Sequence, residues 1–547
     1  MPLLVRNVVL RLDEPEELLR ERVARILGIA ADRVRAYGIV RRAIDARRHD
    51  DLRKVYHLQV AVDAEEKRLL RRGRPGQVST IPQEVDPTVE PGSGRLAHRP
   101  VVIGSGPAGL FAALVLAEQG YMPILLERGQ DVPQRHKGLH LYYTKGQFDP
   151  ENNLLFGIGG AGTYSDGKLY SRTHDTLNDW VLRQLVRFGG DPNILIDAKP
   201  HLGSDKLPGI CRRMVDHIRS LGGEVRYGAK VIDFLISAGS GPQAAGGSAD
   251  RAVTGVVLEG GETIPCDVCI LAIGHSARDT YRVLRERGVA MSAKPFQMGV
   301  RIEHPQAMIN RNQYGDAADQ LGAADYFLVA KHAAGLCDRC GPDLFSFCMC
   351  PGGQILPSNE SHGEICTNGA SNSRRNSPYA NSGLVVTIMP AEFGNDPLAG
   401  IEYQRRWERA AYELSGSYRV PAQRASDFLA GRVSDDGIVT SYPLGAAPVD
   451  LRQMLPDLVI DALKRGLPML DRMIPGYAGP EGIITAPETR ASSPVRIDRD
   501  RQTRQSTTVG GLYPVGEGAG FAGGIVSSAT DGIRSAQQII AACAPLR

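Results

Sequence analysis

The sequence predicts an α/β protein whose central parallel sheet is assembled from two distant stretches of chain, with a small α+β unit in front and a longer α+β segment inserted between. Three observations carry this. A short apolar strand, a glycine-rich turn, an apolar helix and a second strand ending on an acid follow one another over residues 101–127. A strand, another glycine-rich turn and a closing helix run over residues 511–542, and residues 266–275 read as a further buried strand ending on a glycine.

Composition sets the frame. A chain of 547 residues has room for roughly two to four domains at ~100–200 residues each, so a disulfide-stapled miniprotein is excluded. Lys+Arg 64 against Asp+Glu 61 leaves a net charge of +3 that selects no partner and excludes a strongly polyanion-binding chain. Nine cysteines without a regular framework point to a reducing compartment, and a cytoplasmic location is expected. Asp13 and Glu14 interrupt the first apolar stretch, so no export signal is expected. No uncharged apolar run approaches the ~18 residues that span a bilayer, so no membrane partner is expected.

Residues 1–75 are expected to form a small basic α+β domain, with alternating stretches at 3–12 and 56–62 and an amphipathic helix from about Pro15 to Leu27. Its basic cluster contains Arg33, Arg35, Arg41, Arg42, Arg47, Arg48, Arg53 and Lys54, interleaved with Asp45, Asp50 and Asp51. Solvated surface is the first reading of such a cluster, and a nucleic-acid site is the minority one. Residues 76–98 are expected to be a linker, because the density of Pro and Gly there suits neither helix nor strand interiors. Residues 237–249, rich in Gly, Ala and Ser, read as a surface loop.

The strongest local signal is Gly104-Ser105-Gly106-Pro107-Ala108-Gly109, after the Val101 strand and before an apolar helix and a strand ending at Glu127-Arg128. Each position answers a physical demand of a dinucleotide site. Gly104 permits a tight turn, Gly106 lets backbone approach a pyrophosphate, Gly109 lets helix pack on strand, and Glu127 suits ribose hydroxyls. The N–H groups at the helix start favour the negative charge. Glycines at 157, 159, 162 and at 518, 520, 523 match the same string, but neither copy both follows an apolar strand and precedes a second strand with a terminal acid. Only the copy at Gly104 has its full context.

At the far end, Gly511-Leu-Tyr-Pro-Val-Gly516-Glu517-Gly518 leads through Gly524-Ile525 into the closing helix. This resembles the C-terminal motif of two-part FAD domains. The resemblance implies that the strand-end acid contacts the ribityl chain and that the helix N-terminus faces the flavin pyrimidine. That motif usually carries Asp where this chain has Glu517. Residues 229–231 and 253–274 resemble the strand that returns beneath the flavin in the glutathione-reductase-like superfamily, which implies that Val231 lies beside adenine and Gly274 beside the flavin.

These segments, together with Phe156 to Leu169, Gly274-His-Ser-Ala-Arg278-Asp279-Thr280, Ser346-Phe-Cys348-Met-Cys350-Pro-Gly-Gly353 and Glu488-Thr-Arg490 to Arg496, resemble one group. It is the poorly characterised bacterial FAD-dependent dehydrogenases, NAD(P)/FAD-dependent oxidoreductases of that superfamily, with relatives in plant plastids. The resemblance spans nearly the whole chain. It implies a discontinuous Rossmann-like FAD-binding domain at 99–285 and 500–547, an inserted α+β substrate or cap domain at 286–499, and FAD as cofactor. It names no substrate beyond a small organic molecule.

Within flavoprotein chemistry, a disulfide reductase would need a redox-active cysteine pair on the helix facing the flavin, and no cysteine precedes Cys211. An aromatic hydroxylase would carry Asp-Gly where this chain has Ile273-Gly274. A dehydrogenase or reductase remains, with NAD(P)H as a candidate donor although no second dinucleotide fingerprint is present. The competing reading is an RNA-associated flavoprotein that docks through the basic front domain. The small-residue loop 157–168 is expected to line the flavin, with Gly162 in close passage and Lys168 near flavin N1 or the pyrophosphate. His275, Arg301, Glu488 and Arg490 are the polar groups in family-like motifs, and none is assigned a catalytic role. Cys337, Cys340, Cys348 and Cys350 read first as buried small hydrophobes, next as redox-responsive thiols and last as a metal site; no metal is expected.

Overall fold

Five short strands lie parallel in the order Leu512–Pro514, Cys269–Leu271, Val101–Ile103, Ile124–Leu126 and Glu224–Arg226. The computed structural model in which they are seen describes residues 2–48, 51–72, 74, 76–171, 175–238, 250–333 and 341–546. The chain is thus a mixed α/β protein with a five-stranded parallel sheet, and the distant strand Leu512–Pro514 hydrogen-bonds directly to Cys269–Leu271.

Strand alternation decides what covers each face. Val102, Leu125, Ile270 and Tyr513 point to one side, where the helices Pro107–Glu118, Leu207–Ser220 and Ile525–Ala542 stack. Val101, Ile103, Leu126, Cys269 and Leu271 point to the other, against the antiparallel strands Val231–Ala238 and Arg251–Leu258 and the helix Arg278–Glu286. The helix Pro107–Glu118 is apolar all round and buried from Ala108 to Ala117, as a helix enclosed by sheet on one side and helices on the other must be. Each fully buried Leu or Phe there contributes about 1.5–3 kcal/mol.

The segment between the two halves of this sheet builds a seven-stranded sheet in the order Val329–Ala330, Leu344–Cys350, Tyr379–Ile388, Phe296–Pro305, Ile483–Glu488, Val420–Arg424, Ala446–Pro448. Its pairs are antiparallel except the last. The chain returns through Val495–Ile497, which pairs with Met291–Ala293.

At the front, Leu3–Arg11, Arg53–Val62 and Val34–Asp45 share an antiparallel sheet under the helix Leu19–Leu27. Two differences from the sequence reading stand out. The basic cluster is spread over a sheet edge and its loop: Arg35, Arg41 and Arg42 lie on the 12-residue strand Val34–Asp45, and Arg53 and Lys54 begin the strand Arg53–Val62. The breaker-rich stretch after residue 75 holds a three-residue strand, Val78–Thr80, which completes the sheet beside Leu3–Arg11. A single partner edge suffices for so short a strand, so nearby prolines do not prevent it. Residues 239–249, most of the expected surface loop, lie outside the described residues. Among the described residues no helix is long and apolar enough to cross a membrane.

Candidate functional site

The fingerprint turn sits where the parallel sheet meets three buried segments. Gly104 has φ +95°, a region L side chains rarely adopt, and a Cβ there would collide with the Ala272 carbonyl. A Cβ at Gly109 would collide with the Gly104 carbonyl oxygen, so that glycine lets the helix close on the turn. Gly106 differs: a Cβ there would meet nothing within 4 Å. The turn therefore leaves open space in front of Gly106, at the N-terminus of the Pro107–Glu118 helix, which has Pro107 in its first turn and no side-chain cap. Open space, free backbone and a helix N-terminus together fit a pyrophosphate.

Glu127, only 4 % exposed, ties this turn to the next loop. One carboxylate oxygen accepts from the Ser105 N–H at 2.9 Å and the Ser105 hydroxyl at 2.7 Å. The other accepts from the N–H of Gly129 at 2.8 Å and of Gly157 at 2.9 Å. A ribose hydroxyl reaching Glu127 would share these oxygens. Arg128 points elsewhere, into a bidentate pair with Asp279 at 2.9 and 3.0 Å and with Glu151 at 2.7 and 2.9 Å, its guanidinium over the Phe156 ring. Burial opposes its charge, and the two carboxylates more than restore it, holding its pKa above the usual range. Val231 begins its strand two residues after Ala229, whose N–H donates to the Glu127 carbonyl.

The small-residue loop passes between the two halves of the sheet domain. The Gly159 N–H donates to the Ser105 carbonyl at 3.0 Å. A Cβ on Gly160 would lie 3.1 Å from the Gly106 Cα, and one on Gly162 would lie 3.5 Å from Ile525 and 3.7 Å from Pro107. Fingerprint turn, loop and closing helix N-terminus therefore converge on one place. Sequence reading missed what holds the loop there. Arg135, fully buried, donates to the carbonyls of Asn153, Leu154, Ile158 and Gly160 at 2.7–3.1 Å. Burial without a paired carboxylate pushes its pKa down. A lone arginine on an ordinary helix gives no sequence signal for that role.

At the C-terminal end, Gly516 has φ +71° and its N–H donates to Asp531 at 2.7 Å, while Arg499 and Arg504 close on the same carboxylate. Glu517 turns to His275, with 3.3 Å between the Glu517 Oε2 and the His275 Nδ1. Gly274 has φ +68°, and a Cβ on Gly518 would lie 2.6 Å from its carbonyl oxygen. Gly524 is the N-cap of Ile525–Ala542, and Ser527 bonds back to it.

Opposite the loop stands the insert sheet. Lys168 pairs with Asp166 at 2.8 Å, and Arg375 from the insert pairs with the same carboxylate at 2.7 Å. Burial opposes ionisation of Asp166, but the two cations hold its pKa down to about 2. Burial likewise opposes the Lys168 ammonium, which nearby Cys350, Cys348 and Asp166 hold in its charged form. Arg301 forms a fork with Glu488 at 2.6 and 2.9 Å and reaches Asn381 at 2.8 Å. Burial pushes the Glu488 carboxyl up to about 7, against the pull of Arg301. Arg490 belongs to another buried cluster, sharing Glu408 with Arg278, and this cluster joins the sheet domain to the insert. Cys337 and Cys340 lie outside the described residues.

On the front unit, Arg35, Arg47 and Arg53 pair with Asp63, Asp45 and Asp51. Arg42 pairs with Asp197 at 2.6 Å, and its backbone bonds residues 196 and 198.

A family model described as "FAD-dependent protein, C-terminal domain-like" matches residues 295–491, and a domain of unknown function matches residues 3–61. A protein of Clostridium beijerinckii, itself described as uncharacterized, is 39% identical over 546 residues, 99% of each chain. The 6-hydroxy-3-succinoylpyridine 3-monooxygenase HspB of Pseudomonas putida is 27% identical over 173 residues, 31% of this chain and 41% of that one. Among solved structures, a 2-methyl-3-hydroxypyridine-5-carboxylic acid oxygenase is 12% identical with a TM-score of 0.34, covering 81% of this chain and 82% of its own.

Proposed function

We propose that this chain, which belongs to the family of FAD-dependent proteins carrying that C-terminal domain, is an FAD-dependent dehydrogenase or reductase that passes a hydride between an organic substrate and flavin. The observation that carries the proposal is the convergence of the Gly104–Gly109 turn, the loop around Gly160 and Gly162, and the start of the Ile525–Ala542 helix, with open space kept in front of Gly106. Bound flavin would supply the two-electron chemistry. The protein's part is to bind, orient and manage protons. Gly104, Ser105, Gly106, Pro107, Ala108 and Gly109 would shape the pyrophosphate site, with backbone N–H groups offered by Gly106, Ala108 and Gly109, since the Gly104 and Ser105 N–H groups already donate to Leu126 and Glu127 and Pro107 has none. Glu127 and Val231 would flank the adenosine half, with Gly274, Gly516, Glu517, Gly524 and Ile525 along the other end.

Where the loop meets the insert, Lys168, Arg301 and Arg375 outnumber their partners Asp166 and Glu488, an excess of positive charge that favours an anionic substrate. Glu488 can gain or lose a proton near neutral pH and is the group best suited to handle a substrate proton. NAD(P)H is proposed as the donor. The cysteines among the described residues are free thiols, which supports a cytoplasmic setting. Local pairing of the arginines on the front unit supports a surface role there rather than a nucleic-acid face.

Purification with an absorption spectrum, followed by anaerobic titration with NADH and NADPH, tests the proposal. Flavin bound at one per chain and bleached by one nucleotide supports it. A colourless protein that takes up no added FAD refutes it.

A further inference from the structure

We infer that Cys348 and Cys350 form a second redox centre made of protein alone, a dithiol that closes to a disulfide by exchange with a diffusible disulfide. The centre needs no bound cofactor, so its failure and that of the flavin proposal are separate results.

The geometry begins with a bulge. Phe345, Ser346 and Phe347 pair in register with Val385, Leu384 and Gly383, but the next partner of the strand is Cys350 opposite Asn381, so one extra residue is inserted. Cys348 absorbs it at φ +44°, a conformation uncommon outside glycine. The bulge brings the Cys350 thiol back over its neighbour: it donates to the Cys348 carbonyl oxygen at 3.2 Å. Cys350 is fully buried and Cys348 half-buried, which makes Cys348 the thiol a partner molecule can reach and Cys350 the one that resolves.

The surroundings fit an attacking sulfur. The neighbouring Cys350 thiol, with Lys168 and Arg301, outweighs burial and holds the Cys348 pKa at about 5, while Asp166 opposes the shift. Tyr170 on the loop and Glu488 at the end of the strand Ile483–Glu488 are the other titratable groups acting on it. The Lys168 ammonium has its ion pair with Asp166 and no further hydrogen-bond partner, so it is available to a negative sulfur. The other described cysteines contrast with this. Cys211, Cys366 and Cys543 are buried thiols whose pKa burial raises. Cys266 and Cys269, at the approach to the parallel strand Cys269–Leu271, are both fully buried.

The chemistry balances as an exchange. The Cys348 thiolate attacks one sulfur of the diffusible disulfide; a bond forms to Cys348 as the old S–S bond breaks, and one thiolate leaves with the electron pair. Cys350 then gives its proton to solvent and attacks the Cys348 sulfur, expelling the second thiolate. The protein loses two electrons and the small disulfide gains them.

The test uses the full chain as purified, equilibrated in mixtures of reduced and oxidised glutathione, quenched, alkylated and mapped by peptide mass. The expected result is a Cys348–Cys350 disulfide that appears over one two-electron step and is lost under reducing conditions. In the reduced protein, iodoacetamide should label Cys348 at least tenfold faster than any other described cysteine at pH 6. Cys350→Ser should instead accumulate a glutathione adduct on Cys348. Both cysteines remaining separately alkylatable at every glutathione ratio would overturn the inference, as would a disulfide confined to Cys337 and Cys340. If Cys350→Ser does not fold, the wild-type map decides alone.

Discussion

Two glycines three residues apart in a turn can have opposite jobs, and replacing each separates cofactor binding from folding; the pair at 106 and 109 should show this. A side chain at Gly106 would extend into open space from ordinary backbone, φ −66° and ψ 178°, so Gly106→Leu should leave the fold intact. It would fill the volume assigned to the pyrophosphate, and the purified variant should be colourless. What it loses in stability is only the linkage term: about 2.7 kcal/mol when free FAD stands at 100 times its dissociation constant, and nothing when FAD is absent. Gly109→Ala should behave in reverse. Its methyl would collide with the Gly104 carbonyl oxygen, a backbone atom that cannot rotate away, and would press to 3.1 Å on the Ala272 Cβ. Overpacking of this kind costs about 1–3 kcal/mol and here the upper end applies, beyond the roughly 1 kcal/mol that alanine returns in helix propensity. The assay is denaturant unfolding of each variant with and without added FAD, beside the flavin absorbance. Stoichiometric FAD in Gly106→Leu, or wild-type stability without FAD in Gly109→Ala, would refute the reasoning.

Glu408→Gln should destabilise by about 1–3 kcal/mol in urea unfolding, because it removes the carboxylate Arg278 and Arg490 share at 2.8–3.1 Å while Glu360 and Glu364 stay within 3.3–3.8 Å of them. Glu488 makes stability depend on pH. Its folded-state pKa, about 7, lies above the ordinary 4.5, so the folded chain holds this proton more tightly; the contribution is complete below about pH 4.5 and fades as pH rises through 7. On the order of 3 kcal/mol is at stake, and Glu488→Gln should flatten the stability profile between about pH 4.5 and 7 in proportion. Arg42→Ala should change stability by less than about 1 kcal/mol, because its pair with Asp197 is roughly 40% exposed and the backbone bonds to residues 196 and 198 remain.

How much was legible follows from the range of the forces. The turn at Gly104 could be read because sterics within six residues demand glycine at 104 and 109, and because an apolar helix enclosed on all sides must be apolar all round. The strand Leu512–Pro514 and the helix Ile525–Ala542 could be read for the same local reasons. The strand Val34–Asp45 could not, since its outward-facing arginines mask the alternation that marks a half-buried strand. Nor could Val78–Thr80, whose only support is the edge of another strand.

Spacing and hydrophobic period alone determined that this chain builds a parallel sheet with a tight glycine-rich turn and that its last helix returns to that sheet. Only the tertiary structure decided which charges meet. Arg135 finds its four carbonyls, Arg278 and Arg490 find Glu408, and Lys168 comes beside Cys348 through contacts between residues remote in sequence. Such pairings depend on how whole layers pack, and a buried charge takes whatever partner the packing brings within reach, because left alone it could not stay buried.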